Sequence, residues 1–405
     1  MLYTTFYVLI FIFSIYICAM QLSVVILNYN VRYFLETCVL SVQKAIQHLD
    51  AEIIVVDNAS SDGSCKMMHA QFPEIQFIEN TENVGFPKGN NIGVEKASGD
   101  YICILNPDTV VAEDTFTKLL SFAESQKNAG ITGCKLIDGG GTFLPESKRG
   151  IPTPWIAFTK VIGLYKLFPR STWFNQYYAQ HVSEQQTSKV AILVGAFMFM
   201  KRELYIEIGG FDENCFMYSD DIDLSYLALQ KGKDNYYFAD TSVIHYKGES
   251  TNKDVVFMKR FQEAMTFFYT KHFKTSFFFS VMMQIGIQLF ALKKLVQHKR
   301  THKTIPERYI IFSDNIELGV KISKQLTKKC DVIHVIQDVT KELKKAPNTP
   351  TEILFDLNCI SYKSMIALME ELRIYACTFK ILSPETDFMI GSNHSDDKGE
   401  VIILS

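Results

Sequence analysis

The sequence predicts an α/β protein: a largely parallel sheet with helices on both faces, followed by a smaller doubly wound α/β unit. Three observations carry this. Short apolar runs rich in Val and Ile, at 22–27, 52–57 and 100–105, alternate with helically spaced segments, as strands buried on both faces do. Polar residues gather where these runs end, at Asn28, Asp57 and Asn106-Pro107-Asp108, the edge at which open α/β sheets bind ligands. The 405 residues exceed one ordinary domain, and a hydrophobic content of 47% is ample for more than one core.

The first strand, 22–27, leads into helical spacing over 33–49. The second, 52–57, ends in Asn58-Ala59-Ser60-Ser61-Asp62-Gly63-Ser64, residues that make turns through local side-chain bonds. Helix 64–71, strand 75–79, helix 88–97 and strand 100–105 follow. Between them, Asn83-Val84-Gly85-Phe86-Pro87-Lys88-Gly89-Asn90-Asn91-Ile92-Gly93 carries three glycines that permit close backbone approach. Asn90 and Asn91 are expected to open a helix whose free N–H groups can face an anion. Asp108 either caps a helix over 109–120 or binds a hard cation.

From 139 to 188 the pattern weakens. Gly139-Gly140-Gly141, Pro145, Pro152 and Pro154 mark loops, and the aromatics around Trp155 and Trp173 are expected to line an acceptor cleft. An apolar strand is expected at 190–200, and another ends at Val243-Ile244-His245. A separate unit is expected to begin near 303, with strands at 309–312, 332–336, 353–355 and 379–382 and helices at 316–327 and 362–375. Ser313-Asp314-Asn315 stands where a G-x-G-x-x-G loop would be, which argues against dinucleotide binding there. No chemistry is assigned to this unit.

Bulk properties narrow the function. A net charge of −3 gives no case for a nucleic-acid partner. Nine cysteines without a C-x-x-C pair read as reduced thiols of a cytosolic compartment, neither a disulfide framework nor a zinc site. Residues 2–20 are uncharged, and two readings stand: an N-terminal anchor, or an upstream extension with Met20 as the real start. Residues 276–295 are expected to form an apolar helix with a narrow polar stripe of Ser276, Ser280, Gln284 and Gln288. Lys271, Lys274, Lys293, Lys294, His298, Lys299 and Arg300 flank it, so a peripheral location at an anionic cytoplasmic membrane face is expected; a core helix is the alternative.

The chemistry concentrates in Phe216-Met217-Tyr218-Ser219-Asp220-Asp221-Ile222-Asp223-Leu224. Three like charges within four positions repel and lose hydration if buried, so a metal, a helix N-terminus or a proton must compensate. His245 closes an apolar strand before the Gly-containing stretch Tyr246-Lys247-Gly248, a fair setting for a metal ligand.

Together, Val24-Val25-Ile26-Leu27-Asn28-Tyr29-Asn30, Val55-Val56-Asp57-Asn58, Asn83-Val84-Gly85-Phe86, Gly89-Asn90-Asn91-Ile92-Gly93, Leu105-Asn106-Pro107-Asp108, Gly209-Gly210-Phe211-Asp212 and Asp220-Asp221-Ile222-Asp223-Leu224 carry a resemblance. The set, in this order over about 22–250, resembles the family 2 glycosyltransferases of GT-A fold, bacterial rhamnosyltransferase-like branch. The resemblance implies a nucleoside-diphosphate-sugar donor, with dTDP-rhamnose the leading candidate, and a saccharide or lipid-linked acceptor in cell-surface polysaccharide synthesis. It implies donor binding by Asn28, Asn30, Asp57, Asn58, Asn83, Gly85, Phe86, Gly89, Asn90, Asn91 and Asn106. It implies a divalent metal, Mg2+ or Mn2+, at Asp108, the last Asp of the family's D-x-D motif, with His245 completing the shell. Asn106 stands at that motif's first Asp. The family's E-D pair falls on Asp220-Asp221, with Asp in place of Glu; Asp221 is then the base and Asp223 shapes the site. A single displacement inverts the anomeric configuration. Two rivals remain: a nucleotidyltransferase, which would carry a Gly-rich basic loop where Asn28-Tyr29-Asn30-Val31-Arg32 stands, and a non-catalytic membrane-associated binding protein of the same fold.

Overall fold

The computed structural model describes residues 20–153, 155–156, 177–179, 181–247, 255–273, 305–393 and 399–404. The expected anchor or extension at 2–20, apart from Met20, and the expected membrane-contact helix at 276–295 lie outside the described residues, as does Trp173. Among the described residues no helix is long and apolar enough to cross a membrane.

The first unit is built on strands β1 (Leu22–Asn28), β2 (Ala51–Asp57), β3 (Gln76–Glu79), β4 (Tyr101–Leu105), β5 (Thr109–Val110), β6 (Ala129–Ile137), β7 (Ser188–Lys189), β8 (Phe197–Lys201) and β9 (Asp234–His245). They form one sheet in the order β3-β2-β1-β4-β8-β6-β9-β5, with β7 paired to β9. The β1–β2, β2–β3, β1–β4 and β6–β9 pairs are parallel. The sheet is nevertheless mixed, because β8 runs antiparallel between β4 and β6. The apolar run at 190–200 is not one strand: it turns at Gly195, and only its second half enters the sheet. This is the mixed α/β sheet expected of a GT-A fold.

The helices are α1 (Arg32–Ile46), α2 (Ser64–Gln71), α3 (Phe86–Lys96), α4 (Thr115–Ser125), α5 (Arg202–Glu207), α6 (Asp220–Gln230) and α7 (Val255–His272). One face of the sheet packs Val24 and Val55 against Leu35, Val39 and Phe116 of α1 and α4. The other packs Ile102 and Ile104 against Val94 of α3 and Leu224 of α6. Each large side chain so buried contributes roughly 1.5–3 kcal/mol. Helix α3 starts at Phe86 with Pro87 in its first turn, where a fixed φ suits helix entry. Asn90 and Asn91 therefore sit one turn inside this helix rather than at its free end.

The second unit comprises β10 (Arg308–Phe312), α8 (Ile316–Leu326), β11 (Cys330–Ile333), α9 (Ile336–Lys345), β12 (Thr351–Asp356), α10 (Tyr362–Leu372), β13 (Cys377–Leu382), β14 (Phe388–Gly391) and β15 (Glu400–Ile403). Its sheet order is β11-β10-β12-β13-β14-β15, parallel as far as β13 and antiparallel beyond. Val335 and Ile336, expected within a strand, instead lead into α9. The two units share a core: Phe34, Val110, Ile137, Ile244 and Tyr246 belong to one apolar cluster with Tyr362, Met365, Met369 and Phe379. Polar contacts fix the docking. The Glu113 carboxylate accepts the backbone N–H groups of Tyr362 at 2.7 Å and Lys363 at 2.8 Å, satisfying the start of α10. Glu370 takes Lys135 at 2.5 Å and the Ser242 hydroxyl at 2.9 Å.

Candidate active site

The site lies at the carboxyl ends of β1, β2, β4 and β9. Register places Asn28 beside Asp57. The buried Asp57 carboxylate accepts from Asn28 Nδ2 at 2.7 Å and from the Ser60 N–H at 2.7 Å. Asn30, at φ 55°, turns its Oδ1 onto the Ser61 N–H at 2.8 Å. Asp62 is spent on the turn, accepting from the Arg32 and Ser64 N–H groups. Asn28 Oδ1 and Asn90 Oδ1 are buried without a partner, so two acceptors stay open in this corner.

A second layer holds the 83–89 loop. Asn58 Nδ2 donates to Asn83 Oδ1 and to the Gly85 carbonyl, and Asn83 Oδ1 also receives the Gly85 N–H. Gly85 has φ +86°, and a Cβ there would lie 2.9 Å from the Phe216 ring and carbonyl oxygen, so both conformation and space require glycine. The Phe86 N–H donates to that same Phe216 carbonyl at 3.0 Å, tying the loop to the segment before α6. Gly89 packs against Leu27 and Asn58. Asn91 goes elsewhere: its amide bonds Tyr205, Phe211 and Glu213, bracing the 205–213 turn and leaving nothing for a donor.

Asp108 and His245 meet. The β5–β9 pairing sets Thr109 opposite His245, and the Tyr246 N–H donates to the Asp108 carbonyl. His245 Nε2 lies 3.4 Å from Asp108 Oδ1 and 3.4 Å from Asn106 Nδ2, and both Asp108 and His245 are buried. His245 Nδ1 has no partner. An imidazole nitrogen and a carboxylate oxygen at this spacing suit neighbouring ligands of one divalent ion. They are only two: among the described residues no group of three or more His, Cys, Asp or Glu could hold an ion unaided. As a pair they fit part of a metal shell and could not complete one without ligands from elsewhere.

The acidic trio divides into three environments. Asp221 Oδ2 receives Arg149 Nη2 at 2.5 Å and the Gly195 N–H at 3.1 Å, while its Oδ1 receives the Ile222 N–H at 2.7 Å. Asp220 is buried with Oδ1 unpartnered. Burial first, and then the neighbouring Asp221 charge, push its carboxyl up to about 7. Asp223 turns away from the site and binds Lys271 Nζ at 2.8 Å and His272 Nε2 at 2.5 Å, fastening α7 to α6.

One turn joins the metal side to the acid side. The Ala196 carbonyl accepts the Asn106 N–H at 3.0 Å, and the adjacent Gly195 donates to Asp221. A Cβ on Gly195 would lie 3.6 Å from both Asp220 Oδ2 and the Phe86 ring, so donor loop, acid pair and metal strand converge there. Sequence reasoning did not single out Arg149 or Gly195. The Lys148-Arg149 pair before Pro152 was the available signal, and it lies in a stretch without periodicity. Arg149 also lines a cavity of about 600 Å³ with Ile151, Ile156, His181, Val190 and Leu229. Trp155 is about half exposed.

Polar strand ends, the Asp108–His245 pair and the buried acid pair gather at one edge of the sheet. Residues 23–209 match the family model described as Glycosyl transferase family 2, and the relatives the chain resembles include rhamnosyltransferases. It is 25% identical over 244 residues to N-acetylglucosaminyl-diphospho-decaprenol L-rhamnosyltransferase of Mycobacterium tuberculosis, covering 58% of this chain and 78% of that protein. It is 27% identical over 219 residues to the rhamnosyltransferase WbbL of Escherichia coli, covering 51% and 78%. Among solved structures, GalNAc-T7 with UDP, GalNAc and Mn2+ overlaps at a TM-score of 0.47 and 15% identity, over 72% of this chain and 59% of that one.

Proposed function

We propose that this glycosyltransferase moves a sugar, with dTDP-rhamnose the first donor to test, from a nucleoside diphosphate to a hydroxyl of a saccharide or lipid-linked acceptor, inverting the anomeric centre. The supporting observation is the Gly195–Ala196 turn, which accepts from the Asn106 N–H on one side and donates to Asp221 on the other, tying the strand end that carries Asp108 to the acid pair. The Asn28–Asp57 corner and the 83–89 loop hold the nucleoside. Asp108 and His245 would hold a divalent ion, which would supply charge neutralisation for a departing diphosphate. The Asp220–Asp221 pair takes the proton of the attacking hydroxyl. The relatives named as rhamnosyltransferases support the donor, and the diphospho-decaprenol in one of their names supports a lipid-linked acceptor. Contact with a membrane surface by the 255–300 stretch fits such an acceptor, and cell-surface polysaccharide synthesis at the cytoplasmic membrane face is the setting this implies.

The test is a panel of nucleotide sugars with Mg2+ or Mn2+ and with a chelator, read as nucleoside diphosphate release. Metal-dependent release from dTDP-rhamnose is the expected outcome. Pyrophosphate release from a nucleoside triphosphate would replace this reading with nucleotidyl transfer.

A further inference from the structure

The loop that leads into α6 meets the donor loop at Phe216. The Phe216 carbonyl accepts the Phe86 N–H at 3.0 Å, and a Cβ on Gly85 would lie 2.9 Å from its ring carbon Cδ2. The same loop runs on into Asp220 and Asp221 at the start of α6. For a large apolar ring in this position Phe216 is unusually open, at 38% exposure. Arg260 of α7 covers part of it, with the guanidinium carbon 4.4 Å from the ring centroid. Arg260 Nη1 also reaches Met217 Sδ at 3.8 Å, a weak acceptor. Among the described residues no carboxylate is a partner of Arg260, and its side chain is exposed. Further along the same helix, Lys271 and His272 are bound to Asp212 and Asp223. Arg149, the guanidinium on the other side of the acid pair, is spent on Asp221 and the Leu193 carbonyl.

A guanidinium seated on an aromatic face is held in place while its N–H fork stays available, and that fork matches phosphate oxygens in bidentate fashion. A diphosphate could come from the donor or from a lipid-linked acceptor. The donor's has the Asp108–His245 corner, which joins the acid pair through the Gly195–Ala196 turn. Arg260 approaches the acid pair from α7 instead, by way of Phe216. We propose that Arg260 binds the diphosphate of a lipid-linked acceptor and so selects acceptors that carry this group, with Phe216 as the residue that positions its guanidinium. The assignment rests on the glycosyl-transfer reading and deepens it by naming what distinguishes a good acceptor from a poor one: an anionic group next to the accepting sugar.

The test uses the full chain and two soluble probes with the same sugar and the same short alkyl chain. One is an N-acetylglucosaminyl-diphospho-lipid and the other its neutral glycoside. Binding is measured by calorimetry with dTDP and Mg2+ present, so no turnover is required. The parent should bind the diphospho probe on the order of 10–100-fold tighter than the neutral one. Arg260→Gln should lose that preference, through weaker binding of the diphospho probe. Arg260→Lys should keep part of it, because the charge remains and the fork does not; it also serves as the folded control if Arg260→Gln loosens α7. Phe216→Leu should lower the preference by about 2–5-fold, and Phe216→Tyr should restore it. No preference in the parent, or an unchanged one in Arg260→Gln, overturns the proposal. A preference that disappears when dTDP is added would assign Arg260 to the donor's diphosphate and overturns it equally. In initial-rate measurements with dTDP-L-rhamnose, the Arg260→Gln loss should fall on the KM of the diphospho acceptor, and a loss confined to donor KM counts against the proposal. If no nucleotide sugar is turned over, the transfer reading fails, while the binding comparison still decides whether Arg260 reads a diphosphate.

Discussion

At pH 8 the folded protein carries an ionised Asp220 that its surroundings oppose. Its carboxyl is raised to about 7 by burial and by Asp221, against about 4 in an unfolded chain. A group whose folded value is raised favours folding at low pH and loses that contribution as pH rises through the interval between the two values. Asp220→Asn should therefore be more stable than the parent at pH 8, by on the order of 2–4 kcal/mol. The gain should vanish below about pH 4. Thermal melts at both pH values check this, and a variant that is less stable at pH 8 refutes it. Strand-end positions made Asp57, Asp108 and His245 legible, because an apolar run that stops at a polar residue marks the sheet edge. Arg149 was not legible, since its role depends on a contact 72 residues away in sequence. Asp223 was misleading: its company with Asp220 and Asp221 along the chain becomes a turn away from them on the helix, toward Lys271 and His272.

Among the elements, α7 combines apolar packing of Phe268 and Tyr269 with ion pairs that titrate. Lys271 bonds both Asp212, at 2.6 Å, and Asp223, at 2.8 Å. Burial alone would raise the Asp212 carboxyl, but the Lys271 ammonium and the Asn214 amides outweigh it and hold the carboxyl below its ordinary value. A carboxyl lowered in the folded state contributes stability above its unfolded value, and loses it as pH falls through the folded one. Protection factors of the amides across 262–272, taken against the intrinsic exchange rate at each pH, should fall as the pH drops below about 4. Lys271→Met should show the same loss of protection already at neutral pH; unchanged protection in that variant would assign the docking to apolar contacts of Phe268 and Tyr269 instead. The start of α3 shows why boundaries were harder to read than elements. Pro87 and the positive φ of Gly85 place the helix start at Phe86, whereas the paired asparagines drew the expected start inward. Likewise, a continuous apolar run from 190 to 200 conceals a functional turn, because Gly195 interrupts the backbone without interrupting the hydrophobicity.

The whole molecule behaves as two sheets around a common apolar seam. Both α/β units were visible in the sequence as alternating strand and helix patterns. Their docking was not, because residues such as Phe34, Tyr246 and Met369 satisfy periodicity equally well in separate cores. Met369 is fully buried in that seam, so Met369→Ala should cost about 2–5 kcal/mol. The loss should lower a single calorimetric transition that includes both units. Two separated transitions, with only one of them moved, would show that the units fold independently.

Strand β9 links this seam to the chemistry. Ser242 is gripped by Glu370 of the second unit, and His245 stands three residues further along the same strand. A shift of the carboxyl-terminal part of the molecule would therefore bear on the same strand that carries His245. A ligand that tugged or relaxed the second unit would act as a throttle on the first without entering its cleft.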